Sequence, residues 1–510
     1  MRLSTALPLI AFAGLMSGGC AASTASSDPS PAPAMGARPA GARAALRQFV
    51  DSLVSDQDFR SANWGVLVVD PGRGETLYAR NADKLFMPAS NMKLLTGGTA
   101  LTQLGPDFRW STTLLARGPV RGGTLEGDLL VRGTGDPSVS MSARKDAMLP
   151  LRELADSLRA HGVTRIRGHV LAAPSSFVDS PLGYGWSWDD LDEPYSAGVD
   201  ALFFNEGYTE VVTFGGARAG DPVRVVTRPA ATYPSVTVRA RTVARATRGA
   251  SVADSIAALP AVSAAQDTIR GAMVVTGTIA AGDSSVIEIA FRDQPSAYVA
   301  ALREALRARG IQVDEARTDT TARADSLVAT RSMTLREVMP LFEKPSQNQI
   351  GELLFKTLAV VKTGVGRADS ASQVVSRQLL AWGASPDGFA VRDGSGLSRY
   401  DYVAPRTIIH VLDAMRRSEQ FRVFYDALPI AGVDGTIRNR MKGTPAEGNV
   451  HAKTGTLDKA RSLSGYVTTA DGRMLLFSAL CNNYVVPTRR VDRASDALAI
   501  RLASLRLDPQ

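Results

Sequence analysis

The chain has 510 residues, room for roughly three domains, and its 45% hydrophobic and 21% charged content is that of an ordinary globular protein. The net charge of +8 is interspersed rather than blocked, which argues against a dedicated nucleic-acid surface and leaves a mild attraction to anionic polymers or membranes. Cys20 and Cys481 give no disulfide framework, and neither cysteine clusters nor H-x-x-x-H spacing among the four histidines provide a metal site.

Residues 1–20 carry Arg2, an apolar core over 6–16 and then Ser17-Gly18-Gly19-Cys20, the pattern of a secretory signal too short for a stable membrane span. The glycines before Cys20 fit a lipoprotein cleavage site, with Ser17 where leucine is usual. Lipidation of Cys20 and ordinary cleavage nearby both stay open. Residues 21–42, rich in Ala, Ser and Pro, read as a flexible tether. Leu46, Phe49, Val50, Leu53 and Val54 recur at helical spacing over 43–59. Residues 64–70 and 75–79 read as strands joined at Pro71-Gly72. Next comes Phe86-Met87-Pro88-Ala89-Ser90-Asn91-Met92-Lys93 and an apolar run to Leu104, a buried helix stopped by Gly105-Pro106.

From 107 onward short strands are expected at 111–115, 124–131 and 163–172, with a helix near 150–160. Residues 133–137 form a turn cluster and Trp186-Ser187-Trp188-Asp189-Asp190 an aromatic loop, whereas 229–270 has weak periodicity. Residues 107–294 therefore read as one or two inserted β-rich subdomains. A helix over 296–309, ended by Gly310, returns the chain to a catalytic domain made of 43–106 and 295–510. Further helices are expected over 334–342, 350–361, 405–417 and 494–505, and strands over 463–469 and 474–481. Cys481 ends the last strand as a buried small hydrophobe.

Three short motifs stand in order: Ser90-x-x-Lys93, Ser346-x-Asn348 and Lys453-Thr454-Gly455. On a helix, Ser90 and Lys93 share a face one turn apart, so a desolvated lysine can take the serine's proton. Ser346 can relay a proton to a leaving amine, and Asn348 can orient Lys93 and hold a substrate amide. Lys453 supplies a cation for a terminal carboxylate, with the hydroxyls of Thr454 and Thr456 beside it. Gly455 allows close backbone approach or is purely structural. Backbone N–H groups of Ser90 and Thr456 are the candidate oxyanion hole. Each motif has a decoy, at 142–145, 61–63 and 362–364, placed respectively in a polar loop, before a strand and at a helix end. Asp136, Trp186 and Trp188 read as braces of the insertions, Ser395 as a turn residue and His451 as a strand residue.

This motif set is that of penicillin-binding proteins and serine β-lactamases. Together with 133–137, 185–190, Glu352-Leu353, 393–398 and 432–436, the chain resembles the D-alanyl-D-alanine carboxypeptidase/endopeptidases of the penicillin-binding protein 4 class, peptidase family S13. The 256-residue separation (346 − 90) of Ser90 from Ser346 fits that family's inserted domains better than an ordinary β-lactamase. The resemblance implies an α/β (α+β) transpeptidase-like core, a sheet with helices on both sides, interrupted by β-rich insertions. It implies cleavage of D-Ala-D-Ala-type bonds in peptidoglycan stems and cross-links through an acyl-serine, inhibition by β-lactams, no cofactor, and an exported, periplasmic location. The alternatives are a β-lactamase and an inactive wall-binding protein. Gln347 and Gly351 depart from the family's usual residues without removing a reactive group.

Overall fold

The computed structural model describes residues 41–230, 233–245, 261–267, 272–318, 321 and 323–507. The signal reading of 1–20 and the tether reading of 21–40 lie outside the described residues. Helix begins at Ala42, the last residue assigned to the tether.

The strand Asn63–Asp70 is apolar at nearly every position because both of its faces are covered. Trp64, Val66 and Val68 point into one interior with Leu46, Val50 and Val54 of the helix Ala42–Val54 and Leu498 and Leu502 of the helix Thr488–Ala503. Leu67 points the other way, towards Leu94, Leu95, Phe342, Ile408 and Leu412. The strand Met474–Asn482 divides the same way, with Phe477, Ala479 and Cys481 on one side and Leu476 and Leu480 on the other. Period-two alternation thus sorts one continuous apolar run between two cores.

These strands belong to a five-stranded antiparallel sheet whose order from one edge is Glu75–Arg80, Asn63–Asp70, Met474–Asn482, Ala460–Thr468, His451–Leu457. The expected helices are present as Met92–Leu104, Leu335–Glu343, Asn348–Thr363, Pro405–Arg416 and Thr488–Ala503. Met92–Leu104 is buried at every residue through Leu101, and Gly105 ends it with φ +84°. Leu335–Glu343 opens with a Thr334/Glu337 capping box. The helix Ala368–Ala381 and the strand Asp325–Thr334 were not anticipated.

The intervening chain builds a four-stranded sheet in which Arg109–Arg117 lies between Asp325–Thr334 and Asp128–Gly133. The helices Leu149–Ala160 and Gln294–Ala308 cover it, with Leu114, Val131, Leu154, Leu158, Leu302, Leu306 and Val328 in one interior. Gln294–Ala308, expected with the catalytic domain, packs here because Tyr298, Leu302 and Leu306 face that cluster. On this packing we propose 109–334, in place of 107–294, as the inserted region. Small sheets in the same region gather about Val211, Met273, Val275 and Ile289.

Candidate active site

Ser90 sits on a single 3-10 turn, Ala89–Asn91, that runs directly into the helix Met92–Leu104. The turn is pinned to the sheet from three sides. Met87 N–H donates to Asn482 Oδ1 (2.8 Å), Asn91 Nδ2 to the Lys453 carbonyl (2.8 Å) and Ser462 Oγ to the Pro88 carbonyl (2.8 Å). Ala89 has φ +48°, a region costly for a residue with a Cβ and maintained only where the surroundings enforce it. Gly396 closes over its carbonyl, where any Cβ would collide.

Lys93 is fully buried. Its Nζ donates to Ser90 Oγ (2.9 Å), Asn348 Oδ1 (2.6 Å) and the Ser395 carbonyl (2.7 Å). None of the three acceptors is a carboxylate. Burial, then the nearby charge of Lys453, pushes the amine down to about 7. Asn348 opens the helix Asn348–Thr363, and its amide is fixed from behind by donation to the Tyr195 carbonyl (2.9 Å).

Lys453 lies on the edge strand His451–Leu457 and is also fully buried. Its Nζ donates to Ser346 Oγ (2.7 Å) and to the Thr454 carbonyl (3.1 Å), and burial lowers its basicity. Ser346 has φ +66°, in the tight link between Leu335–Glu343 and Asn348–Thr363. Thr454 Oγ1 shares a hydrogen bond with Thr436 Oγ1 (2.7 Å), and Thr456 Oγ1 accepts from Arg461. The three sequence motifs therefore meet at one place. Ser90, Ser346, Asn348 and Thr456 line a cleft of about 690 Å³, together with Asp189, Tyr195, Arg399, Asp458 and Arg461. The two lysine amines lie behind that lining.

Gly455 serves the scaffold: a Cβ would collide with Ser462 Oγ and lie 2.5 Å from the Pro88 carbonyl. The glycine lets the edge strand close on the serine turn. Ser395 does more than turn the chain, since its carbonyl holds Lys93. That loop is braced by Glu352, whose Oε1 accepts from the N–H groups of Gly394 (3.1 Å) and Ser395 (2.8 Å). Asp393 accepts from Gly396 N–H (2.7 Å), Ser398 N–H (2.7 Å) and Trp186 Nε1 (2.9 Å). Trp186 therefore ties the inserted region to the loop around Ser395, while Trp188 is 85% exposed. Asp136 is buried and accepts from Ser138, with no part in the cleft lining. His451 stacks on Tyr425 (3.9 Å between centroids). The decoys stay apart: Gly364 is the left-handed cap of a helix, and Ser142 bonds Glu206. The carbonyls of Ser395 and Tyr195 leave no side-chain signal to read; Glu352, an acid within an apolar helix, did leave one.

A serine held against a desolvated lysine, with a second serine–lysine pair across a cleft and an antiparallel sheet as floor, defines the penicillin-recognising class of serine peptidases. The particular family follows from comparison with known proteins. A profile of the D-Ala-D-Ala carboxypeptidase 3 (S13) family matches residues 46–505, and the chain belongs to that family. It is 33% identical over 493 residues to the D-alanyl-D-alanine carboxypeptidase of Actinomadura sp. (strain R39), covering 92% of this chain and 87% of that one. It is 28% identical over 459 residues to the D-alanyl-D-alanine carboxypeptidase DacB of Haemophilus influenzae, covering 86% and 90%. The crystal structure of penicillin binding protein 4 from H. influenzae superposes with a TM-score of 0.73 at 24% identity, covering 89% of this chain and 97% of that one, so the fold is shared. The protein is a serine-type D-Ala-D-Ala carboxypeptidase of this family.

Proposed function

We propose that Ser90 is the nucleophile and Lys93 its base in hydrolysis of D-Ala-D-Ala-type bonds of peptidoglycan peptides. The carrying observation is the set of acceptors around Lys93 Nζ. In the neutral amine, two N–H groups donate to Asn348 Oδ1 and the Ser395 carbonyl, which leaves the lone pair facing Ser90 Oγ. An amine lowered to about 7 is matched to this task near neutral pH. Ser90 Oγ adds to the substrate carbonyl carbon and its proton passes to Lys93. The C–N bond then breaks, the leaving amine takes by way of Ser346 the proton that Lys93 accepted, and acyl-Ser90 remains beside a neutral Lys93. Water attacks the acyl carbon in the second half, freeing the acid and restoring the Ser90 hydroxyl. Backbone N–H groups of Ser90 and Thr456 receive the oxyanion.

Lys453 is buried behind Ser346, so its cation reaches a substrate carboxylate through the Ser346 hydroxyl, with the Thr454 and Thr456 hydroxyls on the same strand beside it. The reading covers removal of a terminal D-alanine and cleavage of cross-links, and the protein is β-lactam sensitive. A β-lactam complex is known for the H. influenzae relative. The enzyme acts outside the cytoplasm. We place it in the periplasm and leave lipidation of Cys20 to mass spectrometry of the mature N-terminus. No helix among the described residues is long and apolar enough to cross a membrane.

Incubation with penicillin followed by mass spectrometry tests the reading. One adduct mapped to Ser90 and absent from Ser90→Ala is expected. Rapid penicillin loss without an adduct would replace it with a β-lactamase, and folded protein with neither adduct nor turnover with an inactive wall binder.

A further inference from the structure

Glu343 is the last residue of the helix Leu335–Glu343, three positions before Ser346. It is fully buried, and neither of its carboxylate oxygens has a hydrogen-bond partner. Oε1 points at the backbone of the serine helix, where a Cβ on Gly97 would lie 2.9 Å away. Gly97 is one turn beyond Lys93, so the carboxyl occupies space left open by a missing side chain behind the catalytic lysine. An acid kept in such a place without a single donor is expensive to bury, and apolar residues of similar volume would fill the space at lower cost. Met339 and Phe342 border the same space beside Gly97, and their apolar packing does not call for an acid.

What does face it is charge. Lys453 and Lys93 both act electrostatically on Glu343, and each is in turn favoured in its charged form by it. Lys93 is also faced by Glu352 and Asp393. Burial raises the Glu343 carboxyl itself. We propose that Glu343 is a positioning residue, the buried counter-charge shared by Lys93 and Lys453. Its charge keeps Lys453 cationic while Lys93 is free, and stabilises the ammonium that Lys93 becomes on taking the Ser90 proton.

This inference rests on the proposed roles of Ser90 and Lys93. Its test is the pH dependence of penicillin acylation at Ser90, and of kcat and KM for a D-Ala-D-Ala-terminated peptide. The proteins compared are wild type, Glu343→Gln and Glu343→Met. Without the anion both lysines become weaker bases. Both limbs of the profile should move to lower pH by about one to three units, the range for a lost neighbouring opposite charge. KM for the carboxylate-ended peptide should rise more at pH 8.5 than at pH 6.5. Glu343→Met should fold with an unchanged or higher Tm, so its kinetics are readable. Limbs that stay in place in both variants, or variants that only lose Tm, overturn the inference while leaving the Ser90 mechanism intact. Failure of wild-type Ser90 to acylate removes both.

Discussion

Lys93 and Lys453 are both buried amines, but the first meets an amide oxygen, a carbonyl and the Ser90 hydroxyl, and the second meets the Ser346 hydroxyl and its own strand's carbonyl. A base whose folded-state pKa is depressed from 10.5 to about 7 gives up its proton on folding. The contribution of Lys93 to stability therefore rises with pH between about 7 and 10.5, and acylation should fall as pH drops below about 7, visible in kcat/KM. Lys453→Ala should raise KM for carboxylate-ended peptides about 10- to 100-fold, the size of a lost charge-assisted hydrogen bond. It should also lower kcat, because Ser346 loses its donor; an unchanged KM rules out the charge relay through Ser346. Gly455→Ala should nearly abolish acylation and lower Tm, since the added Cβ meets Ser462 Oγ and the Pro88 carbonyl. Wild-type acylation by that variant would show that the edge strand can withdraw without harm.

At the scale of elements, the helix Asn348–Thr363 carries two functions on one face. Asn348 reaches Lys93 directly, and Glu352, one turn on, holds the loop whose Ser395 carbonyl reaches it too. Burial and the nearby Asp393 raise the Glu352 carboxyl, yet its oxygen still accepts from two backbone N–H groups. Glu352→Leu orphans those donors and should cost about 2–6 kcal/mol at about 1–3 each, lowering Tm and slowing acylation together. A slower rate with unchanged Tm would mean that Glu352 acts on the chemistry rather than on the loop. Much of this helix was readable beforehand, since its apolar spacing and the Ser346-x-Asn348 pattern are local. The helix Met92–Leu104 and the paired strands near 460–482 were readable for the same reason. The strand Asp325–Thr334 was not, because its exposed, polar residues give no clear alternation and only pairing with Arg109–Arg117 defines it. The carbonyl contacts of Tyr195 and Ser395 were illegible because any residue type supplies a carbonyl. The full burial of Lys453 was not legible either, since burial is a property of the assembled strand.

Across the whole molecule, the inserted region is coupled to the catalytic core by hydrogen bonds at the cleft itself. The Tyr195 and Pro194 carbonyls accept from Asn348 and Gln349 (2.9 and 2.8 Å), and Trp186 Nε1 donates to Asp393. Trp186→Phe keeps an aromatic ring but removes the N–H together with part of the indole. It should cost about 1–3 kcal/mol, the usual penalty for a buried group left without its hydrogen-bond partner, and slow acylation about tenfold through the Ser395 loop. Full activity with lowered Tm would reduce this contact to a brace.

The strand order places Asn63–Asp70 beside Met474–Asn482, some four hundred positions later, and puts Lys453 opposite Ser90. Pairing over such a separation is slow and closes late in folding. A ribosome that has made 450 residues has already produced Ser90 and Lys93, but neither Lys453 nor the central strand Met474–Asn482. Through most of its synthesis the chain carries a serine–lysine pair whose site is unfinished, and the hydrolase comes into being only as its last strands arrive.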